Sequence, residues 1–140
     1  MSFRIVADSA SDVYSLSGVD FKSVPLKIIS SDKEYVDDTQ LDVSEMVACL
    51  KAEKTAATTS CPNMMEWLDA FEGADNVFAV AITSNLSGSC NAANIAKADY
   101  EQAFPDRKVC VIDSLSTGGE MELIAEKIQE LMKAGLSFEE

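Results

Sequence analysis

Runs of apolar residues alternate with segments of helical periodicity along the whole chain. Residues 3–7 form a short apolar run that stops at Asp8-Ser9, and residues 77–82 are apolar at every position. A strand covered on both faces has that composition, so residues 77–82 are expected at the centre of a parallel sheet. Residues 109–112, stopping at Asp113-Ser114, read as a further strand. Residues 24–29 read as one extended stretch that turns over residues 30–33 and pairs with residues 34–36 as a hairpin.

Helices fit between these runs. Asp42 stands in N-cap position with Glu45 three residues on, and Val43, Met46, Val47 and Leu50 make one apolar face. Residues 56–61 are small and polar and lead to Pro62, expected as the first residue of a helix with Met65, Leu68 and Phe71 on one face and Gly73 as its stop. An alanine-rich helix is expected over residues 90–104 and a last one over 119–133, with Gly135 just past its end. Residues 136–140 open like another capped helix. Alternating strands and helices predict a three-layer α/β/α domain with a mostly parallel sheet. No repeat or linker divides residues 1–140, which are therefore read as one domain.

Charge narrows the partners. The net charge is −13, with 24 acids, 11 bases and no histidine, so a phosphate backbone is repelled and nucleic acid is a poor partner. Without histidine no Ser-His-Asp or Cys-His engine can be assembled. No two of Cys49, Cys61, Cys90 and Cys110 stand in CxxC spacing, so the thiols are expected to be free and buried, with no metal and no cofactor. No apolar run approaches the roughly 18 residues of a membrane span, and the start lacks the apolar block of a signal peptide. The chain is expected to be cytoplasmic, with no stable membrane insertion.

Hydroxyls concentrate where strands end: Ser9 and Ser11, then Thr58, Thr59 and Ser60, then Thr83, Ser84, Ser87 and Ser89, then Ser114, Ser116 and Thr117. In parallel α/β sheets ligands bind along that carboxyl edge. Two of these stretches open into expected helices, whose unpaired amides and positive dipole ends favour an anion. In Ser87-Gly88-Ser89 the glycine admits a close backbone approach and the hydroxyls can donate to a carboxylate; Thr59-Ser60 before Pro62 is expected as a second such start. The same hydroxyls are also ordinary helix caps. Asp8, Asp37, Asp38 and Asp113 suit a metal or phosphoacceptor cluster, or turns and caps. Met64, Met65 and Trp67 suit either a lipid cavity or plain core.

In this order, several short segments resemble the DegV family across essentially the whole chain. They are Val6-Ala7-Asp8-Ser9 with Ser11-Asp12, Val24-Pro25-Leu26-Lys27-Ile28, Tyr35-Val36-Asp37, Thr59-Ser60-Cys61-Pro62-Asn63, Thr83-Ser84-Asn85-Leu86-Ser87-Gly88-Ser89, and Val111-Ile112-Asp113-Ser114 with Gly118-Gly119. The resemblance implies a protein of two α/β domains that holds one long-chain fatty acid and presents its carboxylate to a separate ATP-dependent fatty acid kinase. It implies a carrier, not a catalyst, of which residues 1–140 are the amino-terminal domain without the carboxyl-terminal one. It places carboxylate binding on Thr59, Ser87 and Gly88, with Ser60, Ser89, Asp8, Ser9 and Ser114 as further pocket candidates. Cys61 stands where the family pattern has glutamine, Asn63 where it has serine, and Ser89-Cys90 where it has threonine-tyrosine. Two other classes remain at this stage: a Mg²⁺-dependent phosphoryl-transfer enzyme using Asp8 and neighbouring acids, and a module that dimerises through an apolar surface.

Overall fold

The computed structural model describes residues 2–140. In chain order the elements are β1 (Phe3–Asp8), a single 3-10 turn (Ser9–Ser11), β2 (Asp20–Val24), β3 (Lys27–Ile29), β4 (Glu34–Val36) and α1 (Val43–Ala52), followed by β5 (Thr58–Ser60), α2 (Met64–Phe71), β6 (Asn76–Ala81), α3 (Ser89–Ala103), β7 (Lys108–Asp113) and α4 (Gly119–Lys133). Four strands form a parallel sheet in the order β2-β1-β6-β7, and three form a small antiparallel sheet in the order β4-β3-β5.

The two-residue period of the central strands sorts their side chains between two cores. Val6, Val77, Ala79 and Ala81 face α2 and α3, where they meet Trp67, Phe71, Ala93, Ala96 and Tyr100. Ala7, Val80 and Ile82 face α4 and meet Met121, Ile124 and Ile128. The result is the expected three-layer α/β/α domain. Ala93 and Ala96 are fully buried, so the alanine-rich stretch is the face that brings α3 close to the sheet. The Tyr100 hydroxyl donates to the Ala74 carbonyl at 2.7 Å and accepts from Arg107 Nη1 at 2.8 Å, which lets a polar ring tip end in the core.

Three sequence expectations need correction. Residues 24–29 do not form one extended stretch. Pro25 has no amide to offer a ladder, so the chain leaves the parallel sheet after Val24 and resumes in the other sheet at Lys27; between them the Leu26 amide donates to Ser9 Oγ at 3.0 Å. Residues 58–60 are not a loop before a helix but β5, whose Thr59 lies opposite Ile28. Pro62 is not the first residue of α2. Asn63 caps that helix, accepting from the Glu66 amide at 3.0 Å while Glu66 Oε2 accepts from the Asn63 amide at 2.8 Å.

Smaller differences have equally local causes. Asp42 caps α1 as expected, accepting from the Glu45 amide at 2.9 Å, but the Glu45 carboxylate turns to Lys33 at 2.6 Å and leaves the box half-formed. No residue of α1 is buried, and Val43 is 56% exposed. All four cysteines are free, yet Cys90 alone is buried. Gly135 ends α4 at φ +84°, its amide donating to the Met132 carbonyl while the Leu136 amide donates to that of Leu131. Residues 136–140 form no helix; the Ser137 amide and hydroxyl both donate to Glu140 Oε2. Among the described residues no helix is long and apolar enough to cross a membrane.

Candidate functional site

The loops that leave the carboxyl ends of the parallel strands are tied to one another through their backbones. The Thr83 amide donates to the Ser116 carbonyl at 2.9 Å, the Ser114 amide to that of Ala81 at 3.1 Å, and the Gly118 amide to that of Ala10 at 2.8 Å. The segment after β6 then turns sharply into α3, because the Thr83 carbonyl accepts from both Leu86 and Ser87 amides at 3.0 and 3.3 Å. This fixes where α3 begins.

That beginning differs from those of α1 and α2. Asp42 and Asn63 cap their helices with side-chain oxygens, whereas Gly88, in N-cap position at φ −76° and ψ −1°, offers none to α3. Ser87 Oγ accepts from the Ser89 amide at 3.2 Å, which leaves the Ser87 hydroxyl hydrogen free to donate outward. The amides that follow Ser89 in the first turn, with the positive end of the helix dipole, suit a small anion. Gly88 is exposed, Ser87 is half-buried, and Leu86 beside them is 73% exposed.

The small sheet meets this start through Cys61. A Cβ on Gly88 would lie 3.4 Å from Cys61 Sγ, so the residue just after β5 packs against the glycine face. Thr59 sits two residues earlier on β5 and is exposed. The expected second helix start at Thr59-Ser60 does not exist; both residues lie on a strand that pairs with β3, just before the Cys61 that packs against Gly88.

The other candidate hydroxyls are engaged inside the protein. Ser89 is fully buried and donates to Asp8 Oδ2 at 2.7 Å. Ser9 is buried and accepts from the Leu26 amide. Ser60 donates to the Cys61 carbonyl at 3.3 Å and Ser114 to that of Ser116 at 3.0 Å. These four shape the loops, while Ser87 and Thr59 face outward.

Two carboxylates at this edge have opposite environments. Asp8 is fully buried; its Oδ2 accepts from Ser89 Oγ and from the Ile82 amide at 2.9 Å, and its Oδ1 has no hydrogen-bond partner. Burial pushes its carboxyl above the usual value, against the opposing pull of the Ser89 hydroxyl and the Ile82 amide. Asp113 lies two strands away and accepts from the Ser84 hydroxyl at 2.5 Å and from the Ser84 and Leu115 amides at 3.1 Å each. The Ser84 hydroxyl first, then the Leu115 amide, hold it below the usual value. Leu115 is thereby kept at φ +53°, a left-handed conformation that few branched residues adopt.

Asp37 accepts from the Tyr14 hydroxyl and Asp38 from the Gln40 amide, so the four acids suggested as a cluster serve separate turns and loops. Among the described residues no group of three or more cysteines and acids is arranged to hold a metal. Trp67 belongs to the core, and Met65 is exposed. An apolar cleft of about 140 Å³, lined by Phe3, Phe78, Ile128, Leu131, Met132 and Phe138, opens toward the amino ends of the strands, away from the α3 start. Neither the Cys61 contact with Gly88 nor the Ser89–Asp8 bond has a signal in spacing, because each joins residues far apart in the chain.

Comparison with known proteins gives this arrangement a context. A family model described as "Uncharacterised protein, DegV family" matches residues 2–140. A DegV domain-containing protein of Streptococcus pneumoniae is 46% identical over 144 residues, covering 100% of this chain and 51% of that protein. The chain thus spans about half the length of the curated relatives it matches. Among solved structures, the S. pneumoniae Fatty Acid Kinase (Fak) B3 protein loaded with linoleic acid superposes with a TM-score of 0.97 at 45% identity, over 99% of this chain and 51% of that one. A DegV family protein from Eubacterium eligens loaded with heptadecanoic acid superposes with a TM-score of 0.96 at 43% identity, over 99% and 50%. With residues 2–140 matched throughout and the fold shared over nearly every residue, the chain belongs to the DegV family.

Proposed function

We propose that residues 1–140 form the amino-terminal domain of a fatty-acid-binding protein and carry its half of the carboxylate site, at Thr59, Ser87 and Gly88. The fatty acid is long-chain, and its carboxylate is presented to a separate ATP-dependent fatty acid kinase; the domain binds and positions, and does no chemistry itself. The observation that carries this is the start of α3, where Gly88 supplies no side-chain cap, Ser87 Oγ takes only the Ser89 amide, and the Ser87 hydroxyl hydrogen and the exposed Gly88 lie next to Cys61.

Neutral donors of this kind match a single carboxylate better than a polyphosphate, which calls for several cations or a metal. Relatives of the same fold carry linoleic and heptadecanoic acid, and one of them is named for a fatty acid kinase. The site opens outward, as handing a carboxylate to a second protein requires. Cys61 against Gly88 narrows the approach to the amides and is the residue here that would tune acyl preference.

The test is native mass spectrometry of the purified protein with solvent extraction of bound lipid. An acyl chain retained at one per protein, or a rise in Tm on adding linoleate, is expected. No retained lipid together with an unmoved Tm contradicts the proposal.

A further inference from the structure

Asp8 lies behind the start of α3, bonded to its first residue, and the family resemblance names it only as a further pocket candidate. It is fully buried at the end of β1, and one of its oxygens binds the side chain of the first residue of α3. The same oxygen takes the Ile82 amide just beyond β6, so a single atom ties together two strand ends and the helix start. Its other oxygen, Oδ1, makes no hydrogen bond of ordinary geometry, although the Ala10 amide of the turn after β1 also faces the carboxyl and favours its charged form. A buried carboxylate with an unpartnered oxygen is costly when charged and much less so when neutral.

Among the described residues no Lys or Arg forms an ion pair with Asp8. The elements around it present the Ile82 amide from the β6 side, Ser89 and Cys90 from α3, and the Ala10 amide from the turn after β1. The titratable neighbours are Cys90, whose thiol is pushed up by burial and then by the charges of Asp113 and Asp8, and Asp113 itself. All of these are neutral or acidic. A second carboxylate docking at the α3 start therefore meets a negative charge one side chain away whenever Asp8 is ionised.

We propose that Asp8 is the positioning residue of the carboxylate site and its proton acceptor: it fixes the start of α3 through Ser89, and docking of a fatty acid carboxylate is coupled to protonation of the Asp8 carboxyl. This rests on the carboxylate reading above. The coupling balances simply. One proton from solvent adds to Asp8, at the unpartnered oxygen, as the anion arrives, and it leaves when the anion leaves. Protonation keeps Oδ2 available to Ser89 and Ile82, so the loop geometry survives while the repulsion disappears. Burial already pushes the Asp8 carboxyl above its ordinary 3.8. An added anion pushes it the same way.

The sign follows from linkage. The bound state holds more protons than the free state, so affinity is highest below the titration midpoint of Asp8 in the free protein. Between the free and bound midpoints affinity falls by up to about tenfold per pH unit as pH rises. The experiment is calorimetric titration of linoleate into the protein across the acidic to neutral range, in pairs of buffers with different ionisation heats, for the natural chain and Asp8→Asn. The ¹³C carboxyl signal of Asp8 is followed with and without linoleate.

For the natural chain we expect proton uptake on binding, an upward move of the Asp8 midpoint, and the pH slope above. Asp8→Asn keeps an acceptor for Ser89 and Ile82 and should bind with only the uptake and slope of linoleate's own titration, which is subtracted from those of the natural chain. Asp8→Ala should bind more weakly than Asp8→Asn, because it strands Ser89; rescue by the amide is what a purely packing role would not produce. If Asp8→Asn does not fold, Ser89→Ala serves instead: removing a bond that favours the charged form should move the pH slope upward. Linoleate bound with the same pH slope in both proteins and an unmoved Asp8 signal overturns the role of Asp8 and leaves the carboxylate site standing. A natural chain that binds no linoleate at any pH overturns both.

Discussion

The two sheets of this domain are built on different principles. The parallel sheet is enclosed between α2 and α3 on one side and α4 on the other, and its central side chains are almost wholly withdrawn from water. The antiparallel sheet and α1 bury little: Tyr35 is the one buried hydrophobic residue among β3, β4, β5 and α1, and α1 contributes none. The first region holds the fold. The second holds Thr59 out on β5 and leans Cys61 on the start of α3. Stability and binding should therefore separate cleanly under mutation.

The sharpest separation is expected at Trp67, which is fully buried between α2, α3 and the sheet. Trp67→Ala should cost about 3–5 kcal/mol in urea unfolding, whereas Val43→Ser on exposed α1 should stay within about 0.5 kcal/mol. Equal losses at the two would mean that α1 is packed far better than its exposure indicates. Next in size are changes of about 1 kcal/mol that act on only one property. Asn63→Ala removes the cap of α2 and should lower stability by about 1 kcal/mol while leaving linoleate affinity intact. Ser87→Ala should do the reverse, weakening binding by about 0.5–1.5 kcal/mol with little change in Tm. Thr59→Ala is expected to follow Ser87→Ala, and a Thr59 variant with unchanged affinity would remove β5 from the site.

The smallest effect distinguishes the two carboxylates of the sheet edge. Asp113 is held below its usual value, by the Ser84 hydroxyl first. Its stabilising contribution is present above the unfolded carboxyl value and is lost as pH falls through the folded one. Asp113→Asn should therefore flatten the acid limb of the stability profile. Asp8 is raised by burial, so its contribution is present at low pH and lost as pH rises through its folded value. Asp8→Asn should remove that loss of stability with rising pH. Thermal melts against pH, with matched salt, check both signs.

Much of the enclosed region was legible in the sequence. Residues 77–82 are apolar without interruption because β6 is covered on both faces, and the alanines of α3 are small because the helix lies close on the sheet. Gly135 and Asp42 were legible because a helix end is a local event. The second region was harder to read for the same physical reason that it buries little. β2 is an edge strand in which Phe21 stands among polar residues, and β5 is three small polar residues whose extended form depends on pairing with β3. Pro62 drew attention as a helix opener, although the Asn63 and Glu66 spacing already spelled a capping box.

The candidate site divides similarly. Ser87 and Gly88 stand out in the sequence because a loop that opens into a helix is written in consecutive residues. Thr59 entered as part of an expected helix start as well as through family resemblance; it lies instead on β5, two residues before the Cys61 that packs against Gly88. Asp8 appeared among the further pocket candidates, but its link to Ser89 spans most of the chain and only folding reveals it.

The most direct test of the central claim is amide mapping by ¹⁵N NMR as linoleate is added to the protein. We expect the largest saturable shifts at the Ser87, Gly88, Ser89 and Cys90 amides, a smaller set on residues 59–61, and a rightward-shifted titration in Ser87→Ala. Linoleate that binds while those amides stay still, with shifts confined instead to the cleft around Phe3, Phe78 and Phe138, would contradict the assignment of the carboxylate to the start of α3.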